Sequence, residues 1–196
     1  MSQVKYALET CPANCTSADF PAVDFNDCTD AFVSEESEIT DIWISPEDDS
    51  TPGEPKYKPT DWLSKAAWET ATAQTGAGIR RLTVIGDKPL PEVNASRNVS
   101  RGRIVPGQAT HTVNFDIDDV TPENYALMRR AQCGGSWVMW YATKRFIYGG
   151  AKGFSANVLN AGEVLQRGDN FTVLSFIMTW KAQQSPPRAA NPYYVA

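Results

Sequence analysis

Six consecutive residues, Trp137-Val138-Met139-Trp140-Tyr141-Ala142, are apolar with no alternation. A strand of this kind has no face suited to water, so the fold must pack material on both of its sides. The stretch just before it supplies such material. Ala109, Val113, Phe115 and Ile117 alternate with Thr110, Thr112, Asn114 and Asp116, the pattern of a half-buried strand. Thr121-Pro122-Glu123-Asn124 then reads as a helix start: a hydroxyl N-cap, proline at the first helical position and an acid in the first turn. Tyr125, Met128 and Ala131 or Gln132 make one stripe, Arg129 and Arg130 occupy the last turn, and Gly134-Gly135 ends the helix.

The remaining segments are organised around this centre. Residues 1–38 are turn-rich and without periodicity, and read as an irregular arm. Ile39 to Ser45 predicts a strand, and Pro46 to Pro59, rich in proline, glycine and acid, a long loop. Thr60-Asp61 caps a helix over 61–74, with Trp62, Ala66, Glu69 and Ala73 on one side and Leu63, Ala67 and Ala71 adjoining. Arg80 to Ile85 predicts a strand closed by a Gly86-Asp87 turn, and Pro89 to Pro106 an extended loop or irregular hairpin. Phe146 to Tyr148 and Phe154 to Leu159 read as short strands about Gly149-Gly150. Arg167-Gly168-Asp169 reads as a turn. The closing strand, Phe171 to Trp180, sets Thr172, Leu174, Phe176, Met178 and Trp180 on one face and Phe171, Val173 and Ile177 on the other. Three divisions result: an acidic arm and loop over 1–59 with a strand near 39–45, a β-rich core over 60–184 with helices near 61–74 and 122–132, and a proline-extended tail over 185–196.

Charge divides the chain as well. Residues 1–60 hold 13 acids and 3 lysines, and residues 61–196 hold 10 acids and 15 lysines or arginines. An acidic front is either solvated or laid against a basic surface, its own or a neighbour's. Met1 to Tyr6 lacks the apolar core of a secretory peptide and no run approaches membrane-spanning length. The expectation is therefore synthesis in a reducing cytoplasm, with four free thiols and no membrane contact.

Several constellations invite chemistry, each beside a plainer reading. Cys11, Cys15 and Cys28 could bind zinc with Cys133 or His111, but the C-x3-C-x12-C spacing is loose and no second half follows. His111, the only histidine, sits within an alternating strand, which favours a structural role. Asp116, Asp118 and Asp119 could hold a cation, yet they lie just ahead of a helix N-terminus, where negative charge is favoured. Gly149-Gly150-Ala151-Lys152-Gly153 lacks the spacing of a phosphate loop. Arg97, Arg101 and Arg103, with Arg80 and Arg81, lack the interleaved aromatics of a nucleic-acid surface and suit an acidic protein surface equally well. The expectation is no catalysis, no cofactor and no metal.

The lines Thr110–Asp119, Pro122–Gly135, Trp137–Thr143 and Phe171–Lys181, with a long loop and irregular ends, resemble in pattern the virion proteins of tailed bacteriophages, closest in character to tail-tube and neck-ring subunits. The resemblance covers about a third of the chain and carries no signature motif; the cysteine segment departs from the simplest tube subunits. It implies an α+β, mainly β fold: an antiparallel β-sandwich or open barrel with one or two flanking helices and extended terminal arms. It further implies a homo-oligomeric ring, often six-fold, touching other virion proteins and passing DNA passively. The protein would be made in the host bacterial cytoplasm and located in the virion. Arg97, Arg101, Arg103, Tyr193 and Tyr194 are the expected assembly contacts, the tyrosines as anchors on a reaching tail. The alternatives are a small zinc- or cysteine-dependent protein and a monomeric binding module.

Overall fold

In the computed structural model the described residues are 38–72, 78–93, 97–99, 103–105, 107–156, 158–165 and 172–194, with residues 97–99, 103–105 and 158 described by backbone alone. The chain runs β1 (Ile39–Asp48), β2 (Thr51–Pro55), α1 (Lys65–Thr72), β3 (Arg80–Asp87), β4 (Glu92–Val93), β5 (Arg97–Val99), β6 (Arg103–Val105) and β7 (Ala109–Ile117). It continues with α2 (Pro122–Gln132), β8 (Trp137–Thr143), β9 (Phe146–Tyr148), β10 (Phe154–Ala156), β11 (Val158–Leu165), β12 (Thr172–Ala182) and β13 (Arg188–Ala190). The fold class is α+β and mainly antiparallel β, as the sequence suggests.

Eleven strands form one sheet in the order β11-β12-β7-β3-β1-β8-β9-β13, with β10 beside β8, β2 beside β1 and β4 beside β7; β5 and β6 form a separate hairpin. The sheet is a single curled layer, nearer to the open barrel than to the two-layer sandwich, and it does not close. Its curl is visible in aromatic contacts. β12 and β10 lie far apart in strand order, yet Trp180 and Phe154 approach to 4.4 Å between ring centroids, and Trp180 and Tyr141 to 6.3 Å. The segment 154–165 pairs first with β8 and then with β12, bending across the mouth of the curl.

All seven residues of β8 are buried, and they divide between two cores. Trp137, Met139 and Tyr141 face the inside of the curl with Ile42, Ile44, Val113, Phe115, Leu174, Phe176, Met178 and Trp180, and α2 closes that core with Met128 and Ala131. Val138, Trp140 and Ala142 face outward and join Trp43, Trp62, Trp68, Ala71, Ile79 and Ile147, beneath α1. The unalternating apolar run is thus the wall between two cores.

Several boundaries move. The strand near 39–45 is not part of an arm: β1 is central, paired with both β3 and β8, so the 59/60 division falls inside the domain. The expected long loop after it is largely the β1–β2 hairpin, turned at Asp49-Ser50, with Gly53 (φ +82°) inside β2. Gly86 lies within β3 rather than in a turn. A Cβ there would meet the Asn114 carbonyl at 2.7 Å and Phe115 at 3.0 Å, so glycine permits the close strand approach. The helix expected over 61–74 begins at Lys65, because Asp61 first closes a turn through Leu63 N and Ser64 N. Its buried residues are Trp68 and Ala71, while Ala66 and Glu69 face water. Helix α2 has the expected bounds, with Thr121 as its cap accepting from Asn124 N at 3.3 Å.

Candidate assembly surface

The outer face of the sheet has two halves. Over β1, β8 and β9 it is covered. Trp43, Trp68 and Trp140 are fully buried there, with Trp43–Trp68 at 5.0 Å and Trp68–Trp140 edge-on at 5.4 Å. The glycine turn after β9 serves this packing. Trp140 Nε1 donates to Gly150 O at 2.9 Å, and a Cβ at Gly149 or Gly153 would strike the Trp140 ring at 2.5 or 2.8 Å. Lys152 bonds to Glu54, so this run seals a core instead of facing a phosphate.

The C-terminal residues complete the cover, and here the expected extended tail is corrected. β13 pairs with β9, and Asn191, only 1% exposed, bonds to Thr143 O (2.7 Å) and Arg145 O (2.9 Å) while accepting from Tyr193 N. These bonds satisfy polar groups that burial would otherwise make costly. They carry Tyr193 over the Arg81 guanidinium at 4.0 Å and near Trp43 at 5.7 Å. Arg81 in turn binds the buried carboxylate of Asp41 through Nε and Nη2, at 3.0 and 2.9 Å. Burial raises the Tyr193 phenol above its ordinary pKa. Tyr193, expected as an assembly anchor, is a packing residue of its own chain, and Tyr194 stays 47% exposed.

Over β3, β7, β12 and β11 the outer face carries no helix among the described residues. Register sets Ile85, Asp116 and Ser175 in one row across the strands, Asn114, Ile177 and Asn160 in another, and Val173 beside Val164. The face mixes short polar groups with exposed Ile85, Ile177 and Val164, and Ser175 Oγ donates to Asp116. At its margin β11 is the last strand, eight residues long, with Leu165 72% exposed. Among the described residues its far side meets the end of α2, where Gln132 Nε2 donates to Ala161 O at 3.1 Å.

The other sequence-predicted residues fall as follows. Arg97 and Arg103 lie on the β5–β6 hairpin, opposite Val105 and Val99, and pair with no other described strand; Arg101 lies outside the described residues. Cys11, Cys15 and Cys28 also lie outside them, and Cys133 is an exposed free thiol. Among the described residues no three His, Cys, Asp or Glu come together to hold a metal. His111 is 2% exposed and stacked on Trp180 at 5.1 Å, and among the described residues neither ring nitrogen makes a well-formed hydrogen bond, the Ala182 backbone offering a weak one. Burial, with the nearby Lys88 ammonium second, lowers its pKa, and the Ala182 backbone offsets this in part. Sequence reasoning missed the Asp41–Arg81–Tyr193 group. A signal was present in Asp41 and Trp43, two residues apart on one face of an apolar strand. No family model matches the chain, and no curated protein is significantly similar to it. Among the described residues no helix is long and apolar enough to cross a membrane.

Proposed function

We propose that the protein is a non-enzymatic structural subunit of a phage-like virion, joining copies of itself into a ring or tube of the tail or neck. The observation that carries this reading is the β11 margin, which pairs with no further strand among the described residues, beside a sheet face that none of their helices covers. Beyond the contact of α2 at Ala161, the end of this strand, Glu163, Val164 and Leu165, is exposed, and such an edge is a template for pairing. Copies meeting through unlike surfaces either close into rings or propagate as tubes, and the opposed charge of the two chain regions suits such head-to-tail contact. Apolar strand-edge contacts would provide the cohesion and charge the register.

The test is electron microscopy of the purified full chain, paired with light scattering. Rings or tubes that are lost on Val164→Lys with Leu165→Lys support the reading. A chain that remains monomeric at high concentration, and forms no ordered particle, contradicts it.

A further inference from the structure

A cleft of about 460 Å³ lies between the β1–β2 hairpin and the end of α2, on an apolar floor of Ile44, Leu127 and Trp137. Three cations line it, Lys56, Arg80 and Arg130. Arg80 and Arg130 are exposed and take part in no ion pair among the described residues. Lys56 lies 6.0 Å from the Tyr57 ring and close enough to Asp48 for its charge to help hold that carboxyl low, without forming an ion pair with it. Carboxylates are close, but two are engaged: Glu47 accepts from Gly53 N, and Asp48 accepts from Ser50 N and Oγ. Asp49 remains on the rim. The indole N–H of Trp137, buried in the cleft wall, has no acceptor. Two unpaired guanidiniums and an ammonium around an apolar floor call for a carboxylate-bearing polypeptide with apolar side chains.

The chain itself contains such a segment. Residues 1–37 hold seven acids against one lysine, interleaved with Phe20, Phe25 and Phe32. They join the domain at Ile39, where β1 lies beside Thr143 and Gly86, whereas the cleft lies at the other end of β1, from Ile44 to Asp49. At ~3.3 Å per residue the two ends of the strand are roughly 30 Å apart. Head-to-tail stacking brings the acid-bearing end of one copy to the cleft end of the next.

We propose that the Lys56–Arg80–Arg130 cleft receives the acidic 1–37 segment of a neighbouring copy. This rests on the self-assembly reading and assigns it a specific contact. The experiment mixes full-length protein at natural isotope abundance with 15N-labelled protein, refolds them together, and couples amines to carboxylates with a zero-length carbodiimide. Mass spectrometry is expected to find Lys56 joined to an acid between Glu9 and Glu36, in hybrid light–heavy pairs. Arg80→Glu with Arg130→Glu is expected to reduce that coupling at least tenfold, and 0.5 M salt to do the same to the parent, a check that needs no variant to fold. Acid-to-lysine changes at Asp24, Asp27 and Asp30 should restore assembly to the charge-reversed cleft. Hybrid pairs that never involve Lys56, in particles that survive the double reversal, overturn the cleft contact and leave the ring standing. Coupling to Lys56 only within one isotope form overturns the neighbour as donor. A monomer under all conditions overturns both readings.

Discussion

The two halves of the outer sheet face belong to one sheet and are built differently. The half over β1 and β8 lies under α1 and the β13 segment, three tryptophans deep, with a buried asparagine and a buried carboxylate each given partners. The half over β7, β12 and β11 has alternating strands whose outward residues are short, mixed and uncovered. Covering a face within the chain commits it to folding; a face and an edge left bare among the described residues are, in the assembly reading proposed above, kept for contacts between chains. The distinction separates residues whose loss unfolds the domain from residues whose loss affects only association.

The largest effect is expected at the covered half. Trp140→Ala removes a fully buried indole and orphans the Gly150 carbonyl, at a cost of about 3–5 kcal/mol in urea unfolding. An unchanged midpoint would mean that the second core contributes little. Arg81→Met comes next. It strips the charge partner from Asp41, which is 1% exposed, and removes the stack under Tyr193; because Arg81 is itself a third exposed, a loss of about 2 kcal/mol is expected. Gly153→Ala, at φ +72° and against Trp140, should cost about 1–3 kcal/mol, and denaturation of this variant checks the packing role of the glycine turn.

Much of this was legible because local rules and the final fold agree. Thr121-Pro122 and Gly134 bound α2 by capping alone, and the alternation of β7 and β12 predicts their inward faces residue by residue. What was not legible is what distant segments decide. Nothing local in Ile39–Asp48 says that it lies between β3 and β8. Pro186 and Pro187 suggest a departing tail, whereas the Asn191 bonds that bring it back depend on carbonyls of residues 143 and 145. The apolar run at β8 announced two-sided cover without saying that α1 supplies one side. The bare face was readable only as alternation, because alternation does not reveal whether the polar side meets water or a neighbour.

A smaller, pH-dependent effect belongs to the inner core. The folded His111 pKa lies below its ordinary 6.5, so below that pH the unfolded chain binds the proton more readily than the folded one. Stability is full above about 6.5 and declines as pH falls toward the lowered folded value. Urea midpoints between pH 7.5 and 5.5 should show this decline, and His111→Phe should flatten it; equal slopes would place the proton elsewhere. The smallest effect on folding is expected on the bare half. Ile177→Thr should move the monomer's stability by no more than about 0.5 kcal/mol while weakening association, measured by sedimentation.

The most direct test of the division between the halves is amide hydrogen exchange of the full chain, read by mass spectrometry when dilute and when concentrated. Assembly through the bare half predicts that peptides over 158–165 exchange quickly in dilute protein and become protected on concentration, while 137–143 remains slow throughout. Exchange over 158–165 that does not change with concentration, or new protection confined to 65–72 and 188–193, would contradict the account.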